Sequence, residues 1–373
     1  MKVGIDARMY GPRVGGGGLG RYTEQLVNEL QKIDQKNRYI LFTKPENFED
    51  LQITNNNFEK KKVNIHWYTL KEQVLLGPFL DKQKCDLVHF PHWNVPLGLK
   101  TPFVVTIHDL ILLDEPRSAK ATTKNPFIYS LKYLGYKKVL KHAIESSKHI
   151  IAVSNFTKES ILKHFPHVPE NKITVVYEGV TKLTNNQDQQ PHKDRAQNLL
   201  YIGNAYPHKN LEKLLLAFKK LLQIKPNCHL TLAGKNDVFY QRTKEASGKM
   251  QIPESKLTFK LDPTDSELVE LYASACIYVF PSRMEGFGLP ALEAMQAGVP
   301  IACAHAGSLP EIVGSAAEYF SPNNTDDIAQ TLGRLLSNQQ LRENLVQRGF
   351  EQIQKYSWTE MAERIIDIYN KQL

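Results

Sequence analysis

The chain has 373 residues, 42% of them hydrophobic and 23% charged, which is ordinary globular usage, excludes intrinsic disorder and gives room for two domains or three. The formal net charge of +8 favours an anionic partner: phosphates, a membrane surface or nucleic acid. Four cysteines (Cys85, Cys228, Cys276, Cys303) with no C-x-x-C spacing exclude a disulfide scaffold and a zinc ribbon and read as free buried thiols of a reducing cytosol.

Lys2–Asp6 reads as a short buried strand, Gly15–Gly20 as a glycine-rich turn, and Tyr22, Leu26, Leu30 and Ile33 recur at helical spacing. Tyr39–Phe42 is the next strand, followed by polar stretches, and further strands fall at Asp86–Phe90, Phe103–Ile107 and near Ile151 and Val175. They are short and rich in Val and Ile, as buried parallel strands are. The polar segment 181–197, with Pro191, reads as a linker. Alternation restarts with a strand at Leu199–Gly203, a helix at Leu211–Leu222 and strands at His229–Ala233, Leu257–Lys260 and Ile277–Phe280. Helices at Asp326–Leu336, Gln339–Tyr356 and Trp358–Leu373 close the chain. No apolar run reaches the roughly 18 residues that a membrane span needs, and the N-terminus, with Asp6 inside its apolar run, lacks the longer h-region of a signal peptide.

This pattern predicts an α/β fold: two Rossmann-like, doubly wound domains facing a cleft. The boundaries are 1–180 for the first domain, 181–197 for the linker, 198–357 for the second domain and 358–373 for a last helix. Ligands of such domains sit at the carboxyl ends of the strands, so the residues that follow strands are the candidates. Gly15–Gly20 follows the first strand and opens a helix, yet it is not G-x-G-x-x-G and no acid follows at dinucleotide spacing, which argues against a nicotinamide site. Gly203–Asn210 ends a strand and puts Lys209 at a helix start, where a cation and free amides can face one phosphate.

The most informative segment is Pro281–Gly298. Gly286 and Gly288 allow an unusual backbone path, Pro290 suits a first helical position and Gly298 a helix end. Glu285 lies on the loop and Glu293 in the first helical turn. Two carboxylates bracketing exposed amides suit a ligand with hydroxyls on both sides of a phosphate group. The simpler reading, a helix-terminal acid and a solvated loop acid, leaves the glycines and Pro290 unexplained.

The E-x7-E spacing of Glu285 and Glu293 within EGFGLPALEAMQAG, together with Gly203…Lys209, resembles the retaining, two-domain (GT-B) sugar-nucleotide glycosyltransferases of family 4. The likeness covers nearly the whole chain: GIDARMYG…GGGGLGRYTEQL, TIHDL, IAVSNFTKESI, KITVVYEGV and LPEIVG. Within the family it is most similar to mannosyltransferase-B-like members. The resemblance implies that Glu285 binds the donor sugar's hydroxyls, Glu293 the ribose and Lys209 the diphosphate, helped by the amides of Phe287, Gly288 and Leu289. It puts His108 near the reacting carbon, and Gly17 and Gly18 close to the diphosphate across the cleft. Asn204 stands where members commonly have an arginine, and Arg283 is the alternative second cation. No metal or other cofactor is implied. The donor is GDP-mannose first and a UDP-hexose second, and the acceptor is a glycan or a lipid-linked hydroxyl.

His89, His92 and His108 invite a metal reading, but no carboxylate or cysteine shares their local spacing, so 89–93 is expected to be a loop lining the acceptor side. Asp109 either orients His108 or caps the next turn, and Glu178 reads as a loop acid near the hinge. Arg117–His142 is basic, free of Asp and Glu and interleaved with aromatic residues, which suits an anionic leaflet as well as a solvated face. With no nucleic-acid module present, the partners expected are a nucleotide sugar, an acceptor and an anionic membrane surface. The location follows as cytoplasmic, or peripheral on the inner face of the membrane. A sugar-nucleotide epimerase and a non-catalytic sugar-nucleotide-binding protein are the competing readings.

Overall fold

The computed structural model describes residues 1–115, 126–180 and 197–372. Of the expected linker 181–197 all but Gln197, and the basic residues Arg117, Lys120 and Lys124, lie outside the described residues. The chain forms two compact units. The first comprises Met1–Leu110, Thr122–Gly179 and Ser357–Leu373, and the second takes up the rest. The units depart from the expected boundaries mainly at described residues 111–115, which group with the second unit, where Glu115 lies 3.8 Å from Arg283; Val180 and Ser357 also change sides, to the second and the first unit.

The first unit carries a seven-stranded sheet in the order β3-β2-β1-β4-β5-β6-β7. The strands are β1 (Lys2–Asp6), β2 (Arg38–Thr43), β3 (Phe58–Lys62), β4 (Leu87–Phe90), β5 (Phe103–Ile107), β6 (His149–Ala152) and β7 (Ile173–Val175). All pair in parallel. The inner strands read as apolar runs because helices cover both faces: β1, β4 and β5 are buried nearly throughout. The unexpected β3, sequence FEKKK, is a charged edge strand, and charge on an edge blocks unwanted pairing. The last helix, Trp358–Asn370, belongs to this unit. Thr359 donates to Glu29 at 2.9 Å, and Gly179 lies so close to Trp358 that any Cβ would collide with its backbone.

The second unit has six parallel strands in the order β10-β9-β8-β11-β12-β13. They are β8 (Asn198–Ile202), β9 (His229–Gly234), β10 (Leu257–Leu261), β11 (Ile277–Phe280), β12 (Ile301–Ala304) and β13 (Ala317–Phe320). β12 and β13, four residues each, were not anticipated: IACA and AEYF lack the β-branched runs that flag a strand. Both sheets reverse their winding between neighbours, at β1/β4 in the first unit and at β8/β11 in the second. Such a switch point opens a crevice at the carboxyl ends of its strands.

Candidate active site

The second unit's switch point brings together the segments that the sequence singled out. After β8, Pro207–Lys209 form a single 3-10 turn, and Asn210 (φ 63°) leads into the helix Leu211–Ile224. After β11 comes the loop from Pro281 to Gly288, and then the helix Leu289–Gln296. Lys209 Nζ donates to Glu285 Oε1 at 2.6 Å and to Oε2 at 2.7 Å. The pair is largely buried, with side-chain exposures of 14% and 9%. His208, next to Lys209, is held well below the usual histidine range by burial and by the charges of Lys209 and Arg283, so the local positive charge rests on Lys209 and Arg283.

Arg283 braces this loop. It donates from one terminal nitrogen to Asn210 Oδ1 at 3.0 Å and from the other to the Pro207 carbonyl at 2.8 Å, and its backbone amide donates to the His208 carbonyl at 2.8 Å. Asn204, in the other position considered for a second cation, uses its side-chain oxygen to accept from the Tyr206 amide at 3.3 Å. Gly203 (φ 156°) passes close under Tyr201, whose hydroxyl donates to the Asn204 carbonyl at 2.6 Å.

Gly286, Phe287, Gly288 and Leu289 are buried at the helix entrance, with Gly288 left-handed at φ 114°. Two residues that the sequence reading missed fix this path. The Ser308 hydroxyl donates to the Phe287 carbonyl at 3.0 Å, and Gly307 (φ 60°) leaves room for the backbone of Glu285, which a Cβ there would meet at 2.8 Å. The signal was a glycine and a serine shortly after the strand β12, as Lys209 and Glu285 follow β8 and β11. Glu293 is not in the first turn, as expected, but is the fifth residue of its helix, because the helix starts at Leu289 and Pro290 is its second residue. It is buried, and Tyr272 of the helix Asp265–Ser274 donates its hydroxyl to Oε2 at 3.0 Å.

In the first unit the glycine stretch is not the turn expected. Pro12–Gly15 form one helical turn and Gly17–Ile33 a long helix, with the chain pivoting at Gly16 (φ 75°). Gly17 and Gly18 are exposed in the first turn of the long helix. Glycine is required at Gly20 because the Gly11 carbonyl leaves no room for a Cβ. The expected 89–93 loop is also corrected. His89 lies within β4, fully buried, with Nδ1 2.6 Å from the Tyr369 hydroxyl and Nε2 2.8 Å from Thr106 Oγ1.

His108 follows β5, and its ring is held on both sides: Nδ1 lies 3.0 Å from Glu178 Oε1 and Nε2 2.9 Å from the Pro91 carbonyl. Glu178 is therefore no solvated loop acid; it is buried and orients the imidazole. Asp109 contributes its charge. Burial works against a charge on His108, but Glu178, then the Pro91 carbonyl and Asp109, raise it above the ordinary histidine value. His89 is pushed down to about 3 and His92 well below its usual range, each by burial first and by the charge of His108 second. Among the described residues no group of three or more His, Cys, Asp or Glu could hold a metal ion. No described helix is long and apolar enough to cross a membrane.

Comparison with known proteins defines the class. The family described as "Glycosyl transferases group 1" matches residues 183–352 and "Glycosyltransferase Family 4" residues 16–182. The chain belongs to the group 1, family 4 glycosyltransferases, and it is an enzyme of that class. It is 28% identical to "O-antigen chain mannosyltransferase B" of Escherichia coli, an alignment covering 94% of this chain and 95% of that protein. It is 30% identical to the "MMP alpha-(1->4)-mannosyltransferase" of Mycolicibacterium hassiacum over 72% of this chain and 65% of that protein. The sucrose-phosphate synthase of Thermosynechococcus elongatus superposes with a TM-score of 0.77 at 19% identity, covering 100% of this chain and 98% of that one. The fold is GT-B.

Proposed function

We propose that this enzyme is a retaining hexosyltransferase that moves mannose from a nucleoside diphosphate sugar to a hydroxyl of a glycan or lipid-linked acceptor. The observation that carries the reading is the Lys209–Glu285 pair at the second unit's switch point. Its two charges match the two chemistries of such a donor. The ammonium meets the diphosphate and stabilises charge on the leaving group, while the carboxylate accepts from the sugar hydroxyls. Glu293, aimed by Tyr272, accepts from the ribose, and His108 of the first unit serves the transferred sugar. The choice of mannose rests on the names of the relatives; GDP is the first candidate carrier, and a UDP-hexose is the second candidate donor. No cofactor is assigned.

Because a ligand bound only by the folded state raises its apparent stability, a thermal-shift panel of nucleotide sugars tests the donor. GDP-mannose is expected to give the largest rise, and a larger rise with a UDP-hexose would change the assigned base. Retention is tested by the anomeric configuration of the product. The acceptor reading extends to an anionic membrane surface, on the helix Pro126–Ser146, where Leu131 and Leu134 are exposed beside Lys132, Lys137 and Lys138. Binding to anionic vesicles is expected at low salt and lost at high salt; equal binding to neutral vesicles would remove the electrostatic basis.

A further inference from the structure

We propose that Glu178 is a positioning residue that keeps His108 doubly protonated, so that the ring acts in transfer as a fixed cation and not as a proton acceptor. The proposal deepens the reading above, which assigns His108 to the sugar.

The argument starts from the atoms that face the ring. The Pro91 carbonyl can only accept, so at 2.9 Å Nε2 must carry a hydrogen. The Glu178 carboxylate also accepts, so at 3.0 Å Nδ1 carries one too. A neutral imidazole would aim a lone pair at one of these oxygens; the only escape is a proton residing on Glu178. An ionised carboxylate as buried as Glu178 needs a counter-charge, and the imidazolium supplies it.

The surroundings single out His108 for this charge. Three imidazoles lie close together, His89 within β4 and His92 and His108 after β4 and β5, and the ring centroids of His92 and His108 are 6.2 Å apart. His89 is bonded to the hydroxyls of Tyr369 and Thr106 and has no carboxylate among those partners. Only one of three crowded imidazoles can hold a proton cheaply, and the one beside Glu178 does. From the helix Gly17–Ile33, Tyr22 packs against the ring edge-to-face at 4.6 Å, its hydroxyl 3.0 Å from Thr106 Oγ1. From the helix Asn155–His164, Thr157 donates to the His108 carbonyl at 3.0 Å and anchors the backbone. Asp109 adds a second negative charge from the same loop. The groups facing His108 are thus two acids, two neutral histidines, one neutral phenol and one carbonyl.

The test uses the full-length enzyme with 15N-labelled histidine. The His108 signals are assigned by their loss in His108→Asn. Without substrate at pH 7, both ring nitrogens are expected to report N–H in the wild type, with a titration midpoint above 6.5. In Glu178→Gln the ring is expected to become neutral at that pH, its midpoint falling by at least about one unit, while Glu178→Asp, which keeps the charge, recovers part of the shift. In transfer assays, activity that needs the imidazolium is lost as pH rises through its midpoint, so the alkaline limb of kcat/KM should move down by the same amount in Glu178→Gln, with kcat near wild type below it. A neutral His108 in the wild type at pH 7, or equal loss of activity in Glu178→Gln at every pH, overturns the proposal. An absence of transfer by the wild type would instead count against the function assigned above and leave the ring's protonation decided by its spectrum.

Discussion

Each unit seats a buried cation at the switch point of its sheet, and the two cations are built for different ends. In the first unit Arg8, fully buried after β1, donates to both oxygens of Asp6 at 2.7 Å, to Glu72 Oε1 at 2.6 Å and to the Ile65 carbonyl at 3.1 Å. Asn94 adds a bond to the same Glu72 oxygen at 2.8 Å. Burial opposes the charge on Arg8, but Asp6 and Glu72 outweigh it and raise its pKa. In the second unit Lys209 meets one carboxylate, and both partners keep a little contact with solvent. The comparison teaches that one topological position can be closed by a cation locked between two buried acids or left poised by a single exchangeable pair. Only the second arrangement can trade its partner for a ligand without leaving a charge stranded in the interior.

The comparison can be broken most directly at Lys209. Lys209→Ala and Glu285→Ala are each expected to lower transfer by about 100- to 1,000-fold, the usual cost of losing a preorganised charge at a reacting centre. Steady-state transfer with circular dichroism as a fold control checks this, and undiminished turnover in both variants would remove the assigned site. The double variant should be little worse than either single one, because groups that act as a unit are not additive.

Arg8→Met should act on stability instead. It leaves Asp6 and Glu72 buried without their counter-charge, at an expected cost of about 3–5 kcal/mol, read from urea unfolding. A variant that kept its stability and lost donor binding would show that the first unit's cation also serves the ligand, and the contrast would fall. A smaller effect sharpens the second site. Tyr272→Phe removes the hydroxyl that aims Glu293, and at about 1 kcal/mol it should raise the donor KM roughly fivefold with kcat nearly unchanged.

Much of this was legible in the chain. Strands such as Phe103–Ile107 and Ile277–Phe280 announce themselves because a strand buried on both faces must be apolar along its length. The positions of Lys209 and Glu285 after such strands followed from the rule that α/β ligands collect at carboxyl ends. What escaped did so for physical reasons. β3 is charged because it is an edge, and IACA and AEYF are strands because of the neighbours they pair with. The glycines at 15–18 read as a loop because glycine is a poor helix former, yet the packing of Gly15 and Gly20 against backbone carbonyls carries them into helical segments. Glu178 looked like any loop acid because nothing near it in sequence shows a histidine 70 residues earlier.

The sequence by itself determined the alternation of strands and helices, the family to which the chain belongs, and the short list of charged residues that follow strands. It does so because periodicity, glycine placement and local spacing are properties of neighbours along the chain. Which charges meet was decided only in three dimensions: Lys209 with Glu285, His108 with Glu178, Arg8 with Asp6 and Glu72. Electrostatic coupling depends on distance and burial, and parallel β-α-β winding is what sets both for residues far apart in sequence.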